Sequence, residues 1–270
     1  MNTDTWIPGG LSPDKPNVAR IYDYLLDGYH NFEIDRLVAE KMLKVYPDIR
    51  LGTYACRAFL RRVVNFLVEQ GIDQFLDIGS GIPTVGNVHE VAQAANPAAR
   101  VVYVDIDPIV VTHSKTMLKD NPNATIIRGD VGRPDQILNH AEVKNLLDFS
   151  RPVGVLLLLV LQAIGDDKEA YGAARTLCDA LAPDSYIAIS HGTRDNAPPE
   201  VVEQMEKLSA GTFTPVTERS RARLQPFFDG LELVEPGLVR LPLWWPEGPD
   251  DILLDRPERV LAFGGVGRKP

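Results

Sequence analysis

From about residue 73 onward the chain alternates between two periods of hydrophobic and polar positions. FLDIG, VVYVDID, ATIIRGD, VGVLLLLVL and YIAISHG are short runs rich in β-branched and aliphatic residues, the pattern of strands. Between them VGNVHEVAQAA, IVVTHSKTMLKD and the stretch from Lys168 to Ala182 place apolar residues at helical spacing. A helical or irregular region is expected from Pro134 to Leu147. Strands alternating with helices of this length predict βαβ units and a mostly parallel sheet, with VGVLLLLVL buried on both faces.

The flanks differ. VARIYDYLLDG carries an apolar stripe at Ile21, Tyr22, Leu25 and Leu26, with Asn17 as cap and Gly28 as stop. A second helix is expected from about Phe32 to Val45. A third, with Ala58, Phe59, Val63, Phe66 and Leu67 on one face, runs to Gly71. Residues 16–71 therefore read as a helical cover over the sheet, and residues 1–15 as a loosely ordered arm. After Pro199, EVVEQMEKLSAG and TERSRARLQPFF read as helices, the second bent or ended by Pro226. Short strands close the chain, one around LELVEP or GLVRLPL and one around RVLAFGG. WWPEGPDDILLDRP, rich in Pro and acids, reads as a surface loop. No compositional break divides residues 1–270, which predicts one domain.

Composition narrows the class. The 28 basic against 37 acidic side chains give a net charge of −9, which disfavours a broad nucleic-acid-binding surface. The most apolar run, Val153 to Ala163, is about half the length a bilayer span needs, so no membrane association is expected. Cys56 and Cys178 lie far apart and form no metal or disulfide pattern, which suits a reducing cytoplasm. The five histidines make no zinc-binding spacing, and no metal site is expected. The oligomeric state stays open, a homo-oligomer included.

Candidate chemistry gathers at the ends of the predicted strands. Asp77-Ile78-Gly79-Ser80-Gly81 ends the first; its glycines permit a tight turn and close approach of a ligand. The pattern is D-x-G-x-G and not the dinucleotide G-x-G-x-x-G, since Pro83 and Thr84 stand where a third glycine would fall. A cofactor with a zwitterionic amino-acid tail gains from an acid such as Asp77, which attracts its ammonium. Asp105 ends the second strand and can accept both ribose hydroxyls. Asp130, after the third, can accept an adenine amino group, with Ile106 and Val131 as walls to the ring. Each motif alone also reads as a turn or a helix cap; three at successive strand ends favour a ligand. Asn87 follows the glycine loop. Of the basic cluster Arg57, Arg61 and Arg62, Arg57 is the preferred partner for a cofactor carboxylate. Salt bridges to Asp23 or Asp35 are the alternative.

The order DIGSG, VVYVDIDP, IRGDV is similar to the class I methyltransferases that use S-adenosylmethionine. More narrowly the chain resembles a bacterial family of S-adenosyl methyltransferases formerly described as a domain of unknown function. KPNVARIYDYLLDG, NFEIDR, RAFLRR, QFLDIGSGIPTVGNVHEVAQ, RVVYVDIDP, RPVGVLLLLVLQAI and YIAISH carry that resemblance, from about Lys15 to Gly264. It implies a Rossmann-like α/β fold with a seven-stranded sheet and an antiparallel hairpin near Leu233 to Phe263. It implies S-adenosylmethionine as cofactor, with Gly79, Ser80 and Gly81 at the methionine, Asp77 by its amino group, Asp105 on the ribose and Asp130 on the adenine. The family often has a His where this chain reads Gln162, so proton transfer by a histidine there is not available.

The expected activity is methyl transfer (EC 2.1.1.-), with His191, Tyr22 and Tyr29 as candidates for a base. No Asn-Pro-Pro-Tyr clamp follows the fourth strand, which argues for a small-molecule acceptor over a nucleobase or glutamine amide. A module that binds the cofactor without turnover shares every one of these residues. An NAD-dependent oxidoreductase is disfavoured by the glycine spacing. Trp244 and Trp245 suit an acceptor pocket, a dimer contact or packing under the C-terminal loop.

Overall fold

The computed structural model describes residues 15–83, 86–212, 216–249 and 251–270. The expected arm lies outside these residues apart from Lys15.

Three helices come first: α1 (Val18–Leu25), α2 (Glu33–Val45) and α3 (Ile49–Glu69). Asn17 caps α1, its Oδ1 accepting from Ala19 N at 2.8 Å. Its Nδ2 donates to Asp107 Oδ2 at 3.1 Å, which ties the cover to the sheet. Arg20 and Asp35 join α1 to α2 through a 2.7 Å ion pair at 1% and 0% exposure. Removing one partner strands a buried charge. Asp35→Ala is therefore expected to cost about 3–5 kcal/mol, read as a lowered unfolding midpoint in urea.

The sheet is built from β1 (Gln74–Ile78), β2 (Arg100–Asp105), β3 (Ala124–Arg128), β4 (Gly154–Leu158) and β5 (Tyr186–Gly192), all parallel. Helices α4 (Val88–Ala95), α5 (Pro108–Leu118), α6 (Pro134–Leu138), α7 (Ala141–Leu146) and α8 (Asp167–Asp179) connect them. Period-two alternation splits the strands between two cores. Phe75, Val101 and Leu156 face Phe59 and Val63 of α3 and Ala92 of α4. Leu76, Val102 and Val155 face Ile137, Val143 and Leu177 on the other side. Strand β4 ends at Leu158, earlier than its apolar run predicted, because Leu159 turns into the left-handed region at φ 56°.

Beyond β5 come α9 (Pro199–Ser209), α10 (Arg221–Leu224), β6 (Glu232–Leu233), β7 (Val239–Arg240) and β8 (Ala262–Arg268). Both stretches read as alternatives for one strand form strands. They share an edge of β8, so the order β3-β2-β1-β4-β5-β8-β6 is seven strands wide and eight by count. Strand β8 runs antiparallel to β5. This is the Rossmann-like architecture expected from the sequence. Among the described residues no helix is long and apolar enough to cross a membrane.

Two expectations for this region are corrected. The helix read from Thr217 starts only at Arg221. The preceding backbone is spent on the turn after β4 and the tip of β5, Thr217 N donating to Gln162 O at 2.8 Å and Arg219 N to Gly192 O at 3.2 Å. The segment read as a surface loop is docked on α3. Trp244 is fully buried against Phe59 and Phe66, and Arg62 donates to Trp244 O and Leu241 O at 2.8 Å and to Asp251 at 2.7 Å. Asp251 looked like solvated charge because its buried partner lies far away in sequence.

Candidate functional site

Strand register brings the acidic ends together. Asp77 lies opposite Tyr103 of β2 and Leu156 of β4, and Asp105 lies opposite Arg128, the last residue of β3. The loop after β1 curls over β2, Gly79 N and Ser80 N both donating to Val104 O at 2.7 and 3.2 Å. Gly79 and Gly81 have φ of 76° and 68°, where glycine is favoured. A Cβ on Gly79 would stand 2.4 Å from Val160 Cγ2, whereas one on Gly81 would meet nothing within 4 Å. The bend thus packs on one side and opens on the other.

That opening is a cleft of about 390 Å³, within the range of small-ligand sites. Asp77, Gly79, Ser80, Gly81, Asp105, Ile106, Asp130 and Val131 line it from the sheet side, and Asn17, Tyr22, Asp23 and Arg57 from the cover. Asn87 caps α4 and lines a small adjoining hollow with Arg57, Asp77 and Ser80. Asp105 braces the site: Oδ2 accepts from Gly81 N at 2.8 Å and Oδ1 from Asp107 N at 2.9 Å. Each carboxylate oxygen keeps a further lone pair for a ligand hydroxyl. Asp130 Oδ1 accepts from Gly132 N at 2.8 Å, which fixes the turn after β3. Burial pushes Asp77 up to about 7, with Asp105 adding to the rise and Arg57 opposing it. Asp105 is raised by burial to about 6, partly offset by the amides of Asp107 and Gly81.

A second cavity, of about 220 Å³, adjoins the first. Val18, Tyr22, Cys56, Leu159, Gln162 and Val216 line both. Its remaining wall is largely apolar, with Ile21, Leu25 and Met42 from the cover, Val201 and Met205 from α9, and Val260 and Ala262 near β8. Leu159, in its left-handed conformation, stands at the boundary of the two spaces, where backbone strain is often found at functional sites.

The family model described as S-adenosyl methyltransferase matches residues 4–270. The chain belongs to this methyltransferase family. A DUF574 family protein from Streptomyces avermitilis is similar at 38% identity and TM-score 0.90, over 96% of this chain and 99% of that one. A candidate methyltransferase from Thermobifida fusca is 41% identical with TM-score 0.88, over 98% and 99% of the two chains. The mitomycin 7-O-methyltransferase, 16% identical with TM-score 0.51 over 79% of this chain and 54% of its own, shares the fold. No curated protein matches. As a member of this S-adenosyl methyltransferase family the protein is an enzyme that uses S-adenosylmethionine, and it binds small molecules.

The residues present fit that methyltransferase cofactor. Ser80 Oγ is buried without a partner, an open hydrogen-bonding atom at the loop that faces the cleft. Acids stand at two depths, Asp77 at the first strand and Asp105 at the second, and exposed Ile106 with buried Val131 offers an apolar slot. S-adenosylmethionine, when bound, supplies a methyl group on a sulfonium that a nucleophile can take.

Three placements correct the sequence reading of this methyltransferase. His191 is fully buried and lines neither cavity. Its Nδ1 is 2.8 Å from Gly192 O and its Nε2 3.0 Å from Arg219, and burial holds it down to about 4. It has no ring nitrogen left for an acceptor. Tyr29 is 94% exposed and lines neither cavity either. Tyr22 does stand at the boundary, but burial and the neighbouring Cys56 raise it well above the ordinary tyrosine value. It is a hydroxyl donor there and no base. Of the three arginines only Arg57 lines the cleft, donating to Gly86 O at 2.8 Å, while Arg61 pairs with Glu247 and Arg62 with Asp251. None reaches Asp23 or Asp35 across an ion pair. Sequence reasoning missed Glu218, which lines the second cavity, because it lay in a stretch read as helix. Trp244 takes the packing role left open for it.

Proposed function

We propose that the enzyme transfers the methyl group of S-adenosylmethionine, held in the larger cleft, to a small organic acceptor held in the apolar chamber beside it. The observation that carries this is the shared wall of the two cavities. A methyl transfer needs donor and acceptor in line and shielded from water, and two chambers meeting at a boundary of Tyr22, Cys56, Leu159 and Gln162 supply that placement. Asp77 faces the cofactor's ammonium, Arg57 its carboxylate, and Gly79, Ser80, Gly81 and Asn87 surround the methionine. Asp105 takes the ribose hydroxyls and Asp130 the adenine amino group, between Ile106 and Val131. The chamber is too small for a nucleic acid, and its apolar wall favours a compact organic molecule. The two free thiols, Cys56 and Cys178, suit a cytoplasmic protein.

Titration with S-adenosylmethionine, S-adenosylhomocysteine and NAD tests the site. Tight binding of both adenosyl compounds and none of NAD is expected; the reverse preference would overturn the reading. Asp77 adds a pH signature. Its carboxyl, at about 7, stays protonated in the folded protein over a window where the unfolded chain has lost that proton. Ionising it costs the cofactor-free protein stability as pH rises from about 4 to 7. An ammonium beside it favours the ionised form, so binding below pH 7 expels a proton. Affinity for S-adenosylhomocysteine is expected to fall up to about tenfold per pH unit below 7, and Asp77→Asn to flatten that dependence. Calorimetry in buffers of differing ionisation enthalpy counts the proton.

A further inference from the structure

The apolar chamber carries unbalanced charge. Among the described residues five ionic side chains line it: Asp48, Glu206 and Glu218 against Arg194 and Arg259. Asp48 and Arg259 pair with each other. Arg194 is shared, meeting Glu218 at 3.2 Å and also Glu206, so one guanidinium serves two carboxylates. Of those two, Glu218 is the more enclosed, at 29% exposure against 47% for Glu206. A partly buried carboxylate with half a counter-charge gains from a cation brought to it.

Glu218 is also held near the methyl-transfer boundary. A Cβ built on Gly192 would stand 3.0 Å from Gln162 Oε1 and 3.6 Å from Glu218 Cγ, so both side chains converge over the end of β5. Gln162 belongs to both cavities. The strap from Val216 to Arg219 fixes Glu218 there. Thr217 donates its backbone N–H to Gln162 O in the turn after β4 and Arg219 its own to Gly192 O at the tip of β5, and the Arg219 side chain is fully buried on Asp167 and two carbonyls.

Resting on the chamber's reading as the acceptor site, we propose that Glu218 makes it a subsite for an apolar amine, binding the protonated nitrogen of the acceptor beside Gln162. The N–H bond of the bound ammonium then breaks with its electron pair left on nitrogen, and the proton passes to the Glu218 carboxylate and on to solvent. The nitrogen is thereby freed to react. Burial, opposed by Arg194, holds the Glu218 carboxyl above its ordinary value, which suits a group that takes up a proton. None of the described side chains shared by the two cavities can do so near neutrality. Cys56 is raised to about 12 and Tyr22 well above the tyrosine value, both by burial, and Gln162 is a neutral amide. An alkyl amine also explains a site without an Asn-Pro-Pro-Tyr clamp. Its lone pair is not delocalised like that of an amide, so it needs only to lose a proton.

Calorimetry on the full chain, with and without saturating S-adenosylhomocysteine, tests the subsite with three probes of one shape: phenethylamine, 2-phenylethanol and phenylacetate. The amine is expected to bind at least tenfold more tightly than the alcohol, and phenylacetate the most weakly. Glu218→Gln is expected to erase the preference for the amine while leaving alcohol binding and the melting temperature in place. Glu206→Gln, which leaves Arg194 to Glu218 alone, is expected to weaken the preference without erasing it. Equal binding of amine and alcohol, no binding of either, or a preference that survives Glu218→Gln would overturn the proposal. Should S-adenosylhomocysteine itself fail to bind, the function proposed above falls, and the probes on the cofactor-free protein still decide this inference.

Discussion

Asp105→Ala is expected to weaken binding of S-adenosylhomocysteine by more than about a hundredfold. The size follows from what the carboxylate does twice over. In the placement proposed above it offers charge-assisted bonds to the ribose, each contributing about 1.5–3 kcal/mol, and it fixes the loop by accepting from Gly81 N and Asp107 N. A loss near 3 kcal/mol is about two orders of magnitude in Kd. Asp105→Asn keeps the shape and one oxygen, so an intermediate loss is expected. Calorimetry reads the affinity and thermal unfolding of the cofactor-free protein reads any folding defect separately. An alanine variant within threefold of the parent would remove Asp105 from the cofactor site.

Arg219→Ala is expected to destabilise the fold on the scale of Asp35→Ala. Its guanidinium is fully buried and spends donors on Asp167 at 2.8 Å, Ile164 O at 2.7 Å, Leu161 O at 3.3 Å and His191 Nε2 at 3.0 Å. Truncation leaves Ile164 O and His191 Nε2 unpaired, while Asp167 keeps Arg223 and Leu161 O keeps Ile164 N, at a cost of about 1–3 kcal/mol for each orphaned group, or on the order of 10 °C in melting temperature for a domain this size. Arg219→Lys is not expected to restore it, because a point-like ammonium cannot span the same fan of acceptors. His191 adds a pH limb. The unfolded chain binds its proton below about 6.5 while the folded protein resists until about 4, so stability is lost as pH falls through that window. His191→Gln is expected to soften that loss in acid-unfolding curves. A parent-like melting temperature in Arg219→Ala would show that the strap is not held by this side chain.

Much of this was legible in the residues, and the reasons are physical. Strand ends, glycine bends and the acids beside them are local: Asp77, Gly79, Gly81 and Asp105 fall within a few residues of the pattern change that marks them. Register then carries them to one rim without further information, because parallel strands align their ends. What failed was non-local. His191 at the end of an apolar strand looked like a candidate base. Its fate was set by Arg219, which arrives from a segment whose own helical periodicity was overridden by backbone bonds to Gln162 and Gly192. Trp244 and Asp251 looked like loop residues until Arg62, on α3, gave both a partner. Glu218 carried no local signal at all. Its position depends on the end of β5, on the turn at Gln162 and on what the neighbouring Arg219 side chain is buried against, and apart from Arg219 itself these lie far away in sequence.

The place of β8 in the sheet has a consequence for biosynthesis. This strand lies between β5 on one side and β6 and β7 on the other, yet it is made after all of them. Until the ribosome releases residues 262–268, β5 presents an unpaired edge and two short strands wait without their partner. The nascent protein therefore passes through a sticky stage before β8 emerges. Cells that stall or abort synthesis before residue 262 should accumulate aggregates and not truncated soluble enzyme.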